Sequence, residues 1–209
     1  MEIISCALDA VKYYFSQSKN ALFHFCEFQK IRLSTDVLER IGELENATKK
    51  KYRKLEIIDY PKIDKIIKRI SNKKLRLTFQ TILATGLRVS EVADISQSDC
   101  VADNNIIALS FLAKGGDIQT VTIKNTEYPK LFDDVMELIE NTGKGKKVFY
   151  SAVYLSGKAK QLGFKCHDLR RIFAHVEYKK TRSKTAVQEK LRHTNIKNTT
   201  RYLRCKMKF

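Results

Sequence analysis

The sequence is poor in the residues that interrupt or staple a chain. Two prolines and eight glycines in 209 residues exclude fibrous and linker-like material. Nowhere do about 20 consecutive residues lack a charge, so no membrane-spanning helix is expected. The first residues, MEIISCALDAVKYYF, carry an early acidic residue and neither a basic stretch nor a small-residue cleavage site. No secretory leader is expected from them. The five cysteines (Cys6, Cys26, Cys100, Cys166 and Cys205) are odd in number and never form a CxxC pair. A disulfide framework or zinc site needs a different pattern, and reduced thiols in a cytoplasmic protein fit this one. Cys166 adjoins His167, yet two adjacent ligands without a second pair do not make a metal site. Carboxylates at the spacing of a metal-dependent nuclease are also missing. The sequence therefore predicts no metal and no cofactor.

Acidic residues are the largest deficit. Against 40 Lys+Arg stand 23 Asp+Glu, a net charge of +17 and an isoelectric point near 9.7. A compact protein with this excess repels itself unless a polyanion balances it. Nucleic acid, bound through phosphates with release of counterions, is the expected partner. A membrane surface calls for a basic amphipathic helix with aromatic anchors at its boundary, and here the aromatics are spread over positions that read as core. The length and a hydrophobic content of 43% suffice for one full core and a small second domain.

Along the chain, residues 1–55 read as a short helical segment. It comprises MEIISCALDAVKYYF, KNALFHFCEFQKI and the amphipathic DVLERIGELENATKKKYRK. The run KKKYRK, Lys49–Lys54, is the candidate linker. From residue 56 the pattern sharpens. Pro61 suits a first helical position, and Ile63, Ile66, Ile67 and Ile70 recur at helical spacing. KLRLTFQTILAT reads as a more buried helix ending at Gly86, and SEVADIS as a third helix with Ser90 as its cap. Ile106–Leu112 and Gln119–Ile123 flank AKGGD, a hairpin signal. Helices are then expected at Pro129–Asn141, Tyr154–Leu162, Leu169–Lys180, Ser183–Arg192 and Asn198–Arg204. The expected fold class is α+β, mainly α with a small antiparallel β-sheet.

Five polar signals stand out in order. Arg88 in TGLRVSE follows a helix-ending glycine and precedes a new helix. Its planar fork suits a phosphate, with Glu91 able to hold it in place. Lys114 sits at the hairpin tip. His167 and Arg170 in HDLRR lie three apart, on one helix face. His193 in LRHTN lies between two helices. Tyr202 in NTTRYLR follows nine residues later. Taken singly, each has an ordinary structural explanation: an Arg88–Glu91 ion pair, a solvated loop lysine, a helix end, a packing tyrosine.

Taken together they match one known order. TGLRVSE, LAKGGDIQTVTI, HDLRRIFAH and LRHTNIKNTTRYL resemble, in sequence, the four signature blocks of the tyrosine recombinase, or phage-type integrase, family. The separations of 23 residues from Arg170 to His193 and nine from His193 to Tyr202 are those of the family. The resemblance covers roughly Leu55 to Leu203 and implies the tyrosine recombinase catalytic-domain fold over residues 56–209. It implies a site-specific DNA recombinase that cleaves and rejoins strands through a covalent 3′-phosphotyrosine, without metal or ATP. The expected catalytic set is Arg88, Lys114, His167, Arg170, His193 and Tyr202. In it Tyr202 is the nucleophile, Lys114 the general acid at the leaving 5′ oxygen and His167 the acid–base group near the tyrosine. Double-stranded DNA is the expected partner, bound by a homo-oligomer (a tetramer), with no membrane and no small-molecule substrate. The expected location is the cytoplasm, on the nucleoid if the source is bacterial.

Three departures accompany the resemblance. Arg192 stands where the family commonly has glycine, adding charge beside the pocket and constraining the turn. Only LRCKMKF follows Tyr202, where many relatives continue into a helix that docks on a neighbouring protomer. Residues 1–55 are short for the family's helical core-binding domain and read as a partial or minimal one. Two other activities stay open from sequence: a type IB topoisomerase-like relaxing enzyme, and a DNA-binding module with a non-functional pocket.

Overall fold

A computed structural model describes residues 15–51, 57–113 and 116–209. The readings of residues 1–14, of the end of KKKYRK and of Lys114 lie outside the described residues. The chain divides into two compact units, Met1–Leu55 and Glu56–Phe209.

In the first unit, helices α1 (Phe15–Phe28) and α2 (Thr35–Lys51) enclose a small core of Leu22, Cys26 and Ile41, with Leu33 and Val37 packed on it. Asp36 in the first turn of α2 complements the positive end of the helix dipole.

The second unit opens with β1 (Ile57–Asp59) and α3 (Tyr60–Lys68). The Asp59 carboxylate accepts the Lys62 N–H at 3.0 Å, and Pro61 occupies the first turn, where its missing N–H costs nothing. Helix α4 (Lys73–Thr85) is capped by Asn72, whose side chain accepts the Leu75 N–H at 2.8 Å. It buries Leu75, Leu77, Phe79 and Ile82. It stops at Gly86, as expected, with φ of 65° and its N–H on the Ile82 carbonyl. A second reason for glycine comes from packing. A Cβ there would lie 2.4 Å from the Phe173 ring, too close for any side chain.

Helix α5 (Val89–Asp94) starts earlier than the sequence suggested. Ser90 was the expected cap, but Arg88 occupies that position. The Glu91 carboxylate reaches back to accept the Arg88 N–H at 2.7 Å, so a glutamate rather than a serine satisfies the end of the helix.

The predicted hairpin is present as β3 (Ile106–Leu112) and β4 (Ile118–Lys124), with Leu109 opposite Val121. A third strand, β2 (Cys100–Ala102), pairs with β3 on its other side, making an antiparallel sheet in the order β2-β3-β4. Alternate residues Ile107, Leu109 and Phe111 are buried, as a half-buried strand requires.

Helices α6 (Pro129–Glu140), α7 (Ala152–Gln161), α8 (Cys166–Thr181), α9 (Lys184–Leu191) and α10 (Ile196–Leu203) complete the body. Ser151, Ser183 and Asn195 cap α7, α9 and α10 through their side chains. Helix α8 starts at Cys166 rather than Leu169. Asp168 accepts the Lys165 N–H at 2.9 Å, which places His167 inside the first turn. After α10 the chain forms β5 (Lys206–Lys208), which pairs in parallel with β1. This pairing was not foreseen.

One large core runs through the unit, with Phe79, Ile82, Leu87, Ile107, Leu109 and Leu169 among its members. A second, smaller cluster joins Phe173, Ala174, Val187, Leu191 and Tyr202, so the Tyr202 ring is itself a packing element. The architecture is mainly helical with small sheets, the class the sequence indicated. No helix among the described residues is long and apolar enough to cross a membrane.

Candidate active site

Glu91 is the centre of the polar cluster. Its side chain is 3% exposed. The Arg88 guanidinium donates to one carboxylate oxygen at 2.5 Å and the Arg88 backbone N–H to the other. Arg170 lies 3.8 Å and Arg192 3.6 Å from the same second oxygen. Burial alone would raise the Glu91 carboxyl. The Arg88 N–H and guanidinium, with the charges of Arg88 and Arg170, overcome this and hold it below the usual carboxylate range.

Arg170 is the most deeply placed cation, at 1% exposure. It projects from α8 and donates to the Gly86 carbonyl at the end of α4 and to the Leu191 carbonyl at the end of α9. One guanidinium thus ties three helices together. Its Nε–H is buried with no partner among the described residues. Burial, then the nearby charge of Arg88, lowers Arg170 to about 10.

The two predicted histidines flank Tyr202. The His167 and Tyr202 rings meet edge to face with centroids 4.8 Å apart, and the Tyr202 hydroxyl lies 3.5 Å from His167 Nδ1. His193 meets the same ring at 4.9 Å, also edge to face. Burial pushes His167 below its usual value, helped by the charges of Arg171 and Arg170. Burial and the charges of Arg170, Arg88 and Arg192 push His193 down to about 4. Both imidazoles are therefore neutral at pH 7. His193 is fixed by reciprocal bonds with Gln188: its backbone N–H donates to the Gln188 carbonyl at 3.1 Å, and the Gln188 amide donates to its carbonyl at 2.9 Å. Its Nδ1 lies 2.9 Å from the Thr199 hydroxyl. Tyr202, 9% exposed, is held at its backbone by His175, whose Nε2 lies 3.2 Å from the Tyr202 carbonyl.

Arg88, His167, Arg170, His193 and Tyr202 are thus gathered from four separate stretches into one cluster, and Lys114 lies outside the described residues. This gathering brings the second unit into register with a known pattern: the sequence pattern of the phage integrase family matches residues 55–208. The chain belongs to the phage integrase family. Among curated proteins it is 31% identical over 142 residues to tyrosine recombinase XerH of Campylobacter jejuni, covering 60% of this chain and 39% of that protein. It therefore spans well under half the length of that relative. Solved structures share the integrase fold. The Tn1549 transposon integrase in complex with circular intermediate DNA superposes with a TM-score of 0.63 at 16% identity, covering 89% of this chain and 72% of that one. A lambda integrase dimer bound to a COC′ core site superposes with a TM-score of 0.60 at 18% identity, over 95% and 77%.

Some contacts of the cluster escaped the sequence reading. Thr199 is fully buried, and only the folded turn brings its hydroxyl to His193. Arg192 was noted as a departure, with no sign of what it touches. It adopts the left-handed conformation, φ 56° and ψ 43°, where glycine is normally preferred. Cys166, beside His167, is a packing thiol, pushed up to about 11 by burial.

Proposed function

We propose that this chain is a site-specific DNA recombinase acting through a covalent 3′-phosphotyrosine. The observation that carries the reading is the placement of the Tyr202 hydroxyl at His167 Nδ1, beside a cluster with more guanidinium than carboxylate charge.

Tyr202 Oη attacks the scissile phosphorus while its proton passes to His167 Nδ1, which burial keeps in the accepting, neutral form. The bond from phosphorus to the 5′ oxygen breaks, and that oxygen leaves as a hydroxyl after taking a proton from Lys114. Negative charge grows on the non-bridging oxygens during attack, where Arg88 and Arg170 neutralise it. The Thr199 hydroxyl engages Nδ1 of His193, which leaves Nε2 as the edge for phosphate; in the Nε2–H tautomer that edge donates to it. A 5′-hydroxyl from another strand then reverses the steps and restores the phosphodiester. The ester bond energy is kept in the phosphotyrosine, so no ATP is consumed.

We place the first unit as a partial or minimal core-binding domain and the working form as a tetramer on duplex DNA, the arrangement in which two strands can be exchanged. Neighbours of the same fold, solved on DNA, support the choice of substrate. The test is a pool of nicked duplexes with a randomised core, from which protein–DNA adducts stable to detergent are recovered and sequenced. Adducts should form with wild type in the presence of EDTA. Relaxation of supercoils without strand exchange between recovered sites would point to topoisomerase activity instead.

A further inference from the structure

We propose that Arg192 is a positioning residue of the site: it completes a clamp of three arginines on Glu91 and fixes the electrostatic setting of His193. This rests on the recombinase reading for its catalytic consequence, though not for its geometry.

The backbone supplies the first argument. Arg192 stands at φ 56°, a conformation less favourable for an L-residue than its normal wells. Glycine would occupy it freely, but exposed Lys30 and Arg182 adopt it too, so the contacts of the side chain carry the argument. The contacts are specific. The side chain is 12% exposed. One terminal nitrogen lies 3.6 Å from Glu91 Oε2 and 3.5 Å from the Gly86 carbonyl, while the other donates to the Lys190 carbonyl at 2.9 Å. The guanidinium carbon sits 5.2 Å from the centre of the Phe111 ring on β3, within cation–π range. The Nε–H is buried and has no partner among the described residues.

Arg192 therefore meets the same carboxylate oxygen and the same carbonyl as Arg170, and it links both to the sheet through Phe111. Three guanidinium charges against one carboxylate leave two positive charges in the cluster, and without Arg192 one remains. A phosphoryl group under attack gains a second negative charge, so this difference falls where charge develops. The groups facing His193 are Arg170 and His167 from α8, Arg88 ahead of α5, Tyr202 from α10, and Arg192 next to it in the chain. Burial suppresses its protonation first, and the three arginines and His167 add to it.

The test compares wild type with Arg192→Gly and Arg192→Lys. The chain has four histidines, and NMR titration resolves them, with the His193 signal assigned by its loss in His193→Gln. Arg192→Gly should fold with a thermal midpoint equal to or above wild type, because glycine relieves the backbone. Its His193 midpoint should rise by about one pH unit from the wild-type position, a tenfold change in proton affinity, and Arg192→Lys should move it less than half as far. At saturating nicked duplex the adduct-forming rate of Arg192→Gly should fall about tenfold or more with little change in DNA affinity. An Arg192→Gly protein with the His193 midpoint and adduct rate of wild type overturns the inference. If wild type forms no adduct, the recombinase reading fails, and the titration still decides the role of Arg192.

Discussion

At the scale of single residues, the site joins a phenol to a histidine that burial and two arginines keep unprotonated. Neutral His167 is the form that accepts a proton, and its protonation midpoint lies below the ordinary histidine value. The acid limb of cleavage should accordingly fall below pH ~6.5 in single-turnover assays. His167→Ala should lose about 10²-fold in cleavage rate with DNA affinity retained. An acid limb at pH 7 or above would remove His167 as the base. The gathering of these residues was legible in the sequence, because Arg88, His167, Arg170, His193 and Tyr202 fall in order within blocks that resemble those of the family. What the spacing could not show is which contacts sit behind them. Arg170 was expected as a member of the catalytic set, and its guanidinium bridges the Gly86 and Leu191 carbonyls. Thr199 and Arg192 matter through contacts that exist only once three helices have met.

At the scale of elements, the site depends on how closely α4 approaches α8. Gly86 has a positive φ and a Phe173 ring where a Cβ would go. Gly86→Ala should therefore destabilise the fold by about 2–4 kcal/mol, from backbone strain and overpacking together, read by urea unfolding. A loss under about 1 kcal/mol would mean that the ring yields readily. The helices were legible from apolar periodicity and capping residues, and their observed ends moved by only a few positions. Short elements were not. Strands β1, β2 and β5 have three residues each, too few to show a period, and the parallel β1–β5 pairing joins opposite ends of the second unit. The start of α5 was misplaced because Glu91 provides the cap from inside the helix.

At the scale of the whole molecule, charge and protonation set the working range. With a net charge of +17, DNA binding should weaken steeply with salt, with a log–log slope steeper than about −4 in filter-binding or anisotropy titrations. A flat salt response would sever the link between net charge and DNA. Stability should depend on pH in a defined window. His193 titrates near 4 when folded and near 6.5 when unfolded. As pH falls from about 6.5 towards 4 the unfolded chain binds the proton first, so stability is lost across that interval, on the order of 1–3 kcal/mol. Urea midpoints at pH 7.5 and 4.5 should converge in His193→Gln relative to wild type, with His167 contributing the same sign. The central claim, that Tyr202 is the nucleophile, is tested most directly by isolating the denaturation-stable adduct on nicked duplex DNA and mapping the modified peptide by mass spectrometry. The account predicts a nucleotide on Tyr202 and no adduct from Tyr202→Phe; an adduct that persists in Tyr202→Phe, or one mapped to another residue, would contradict it.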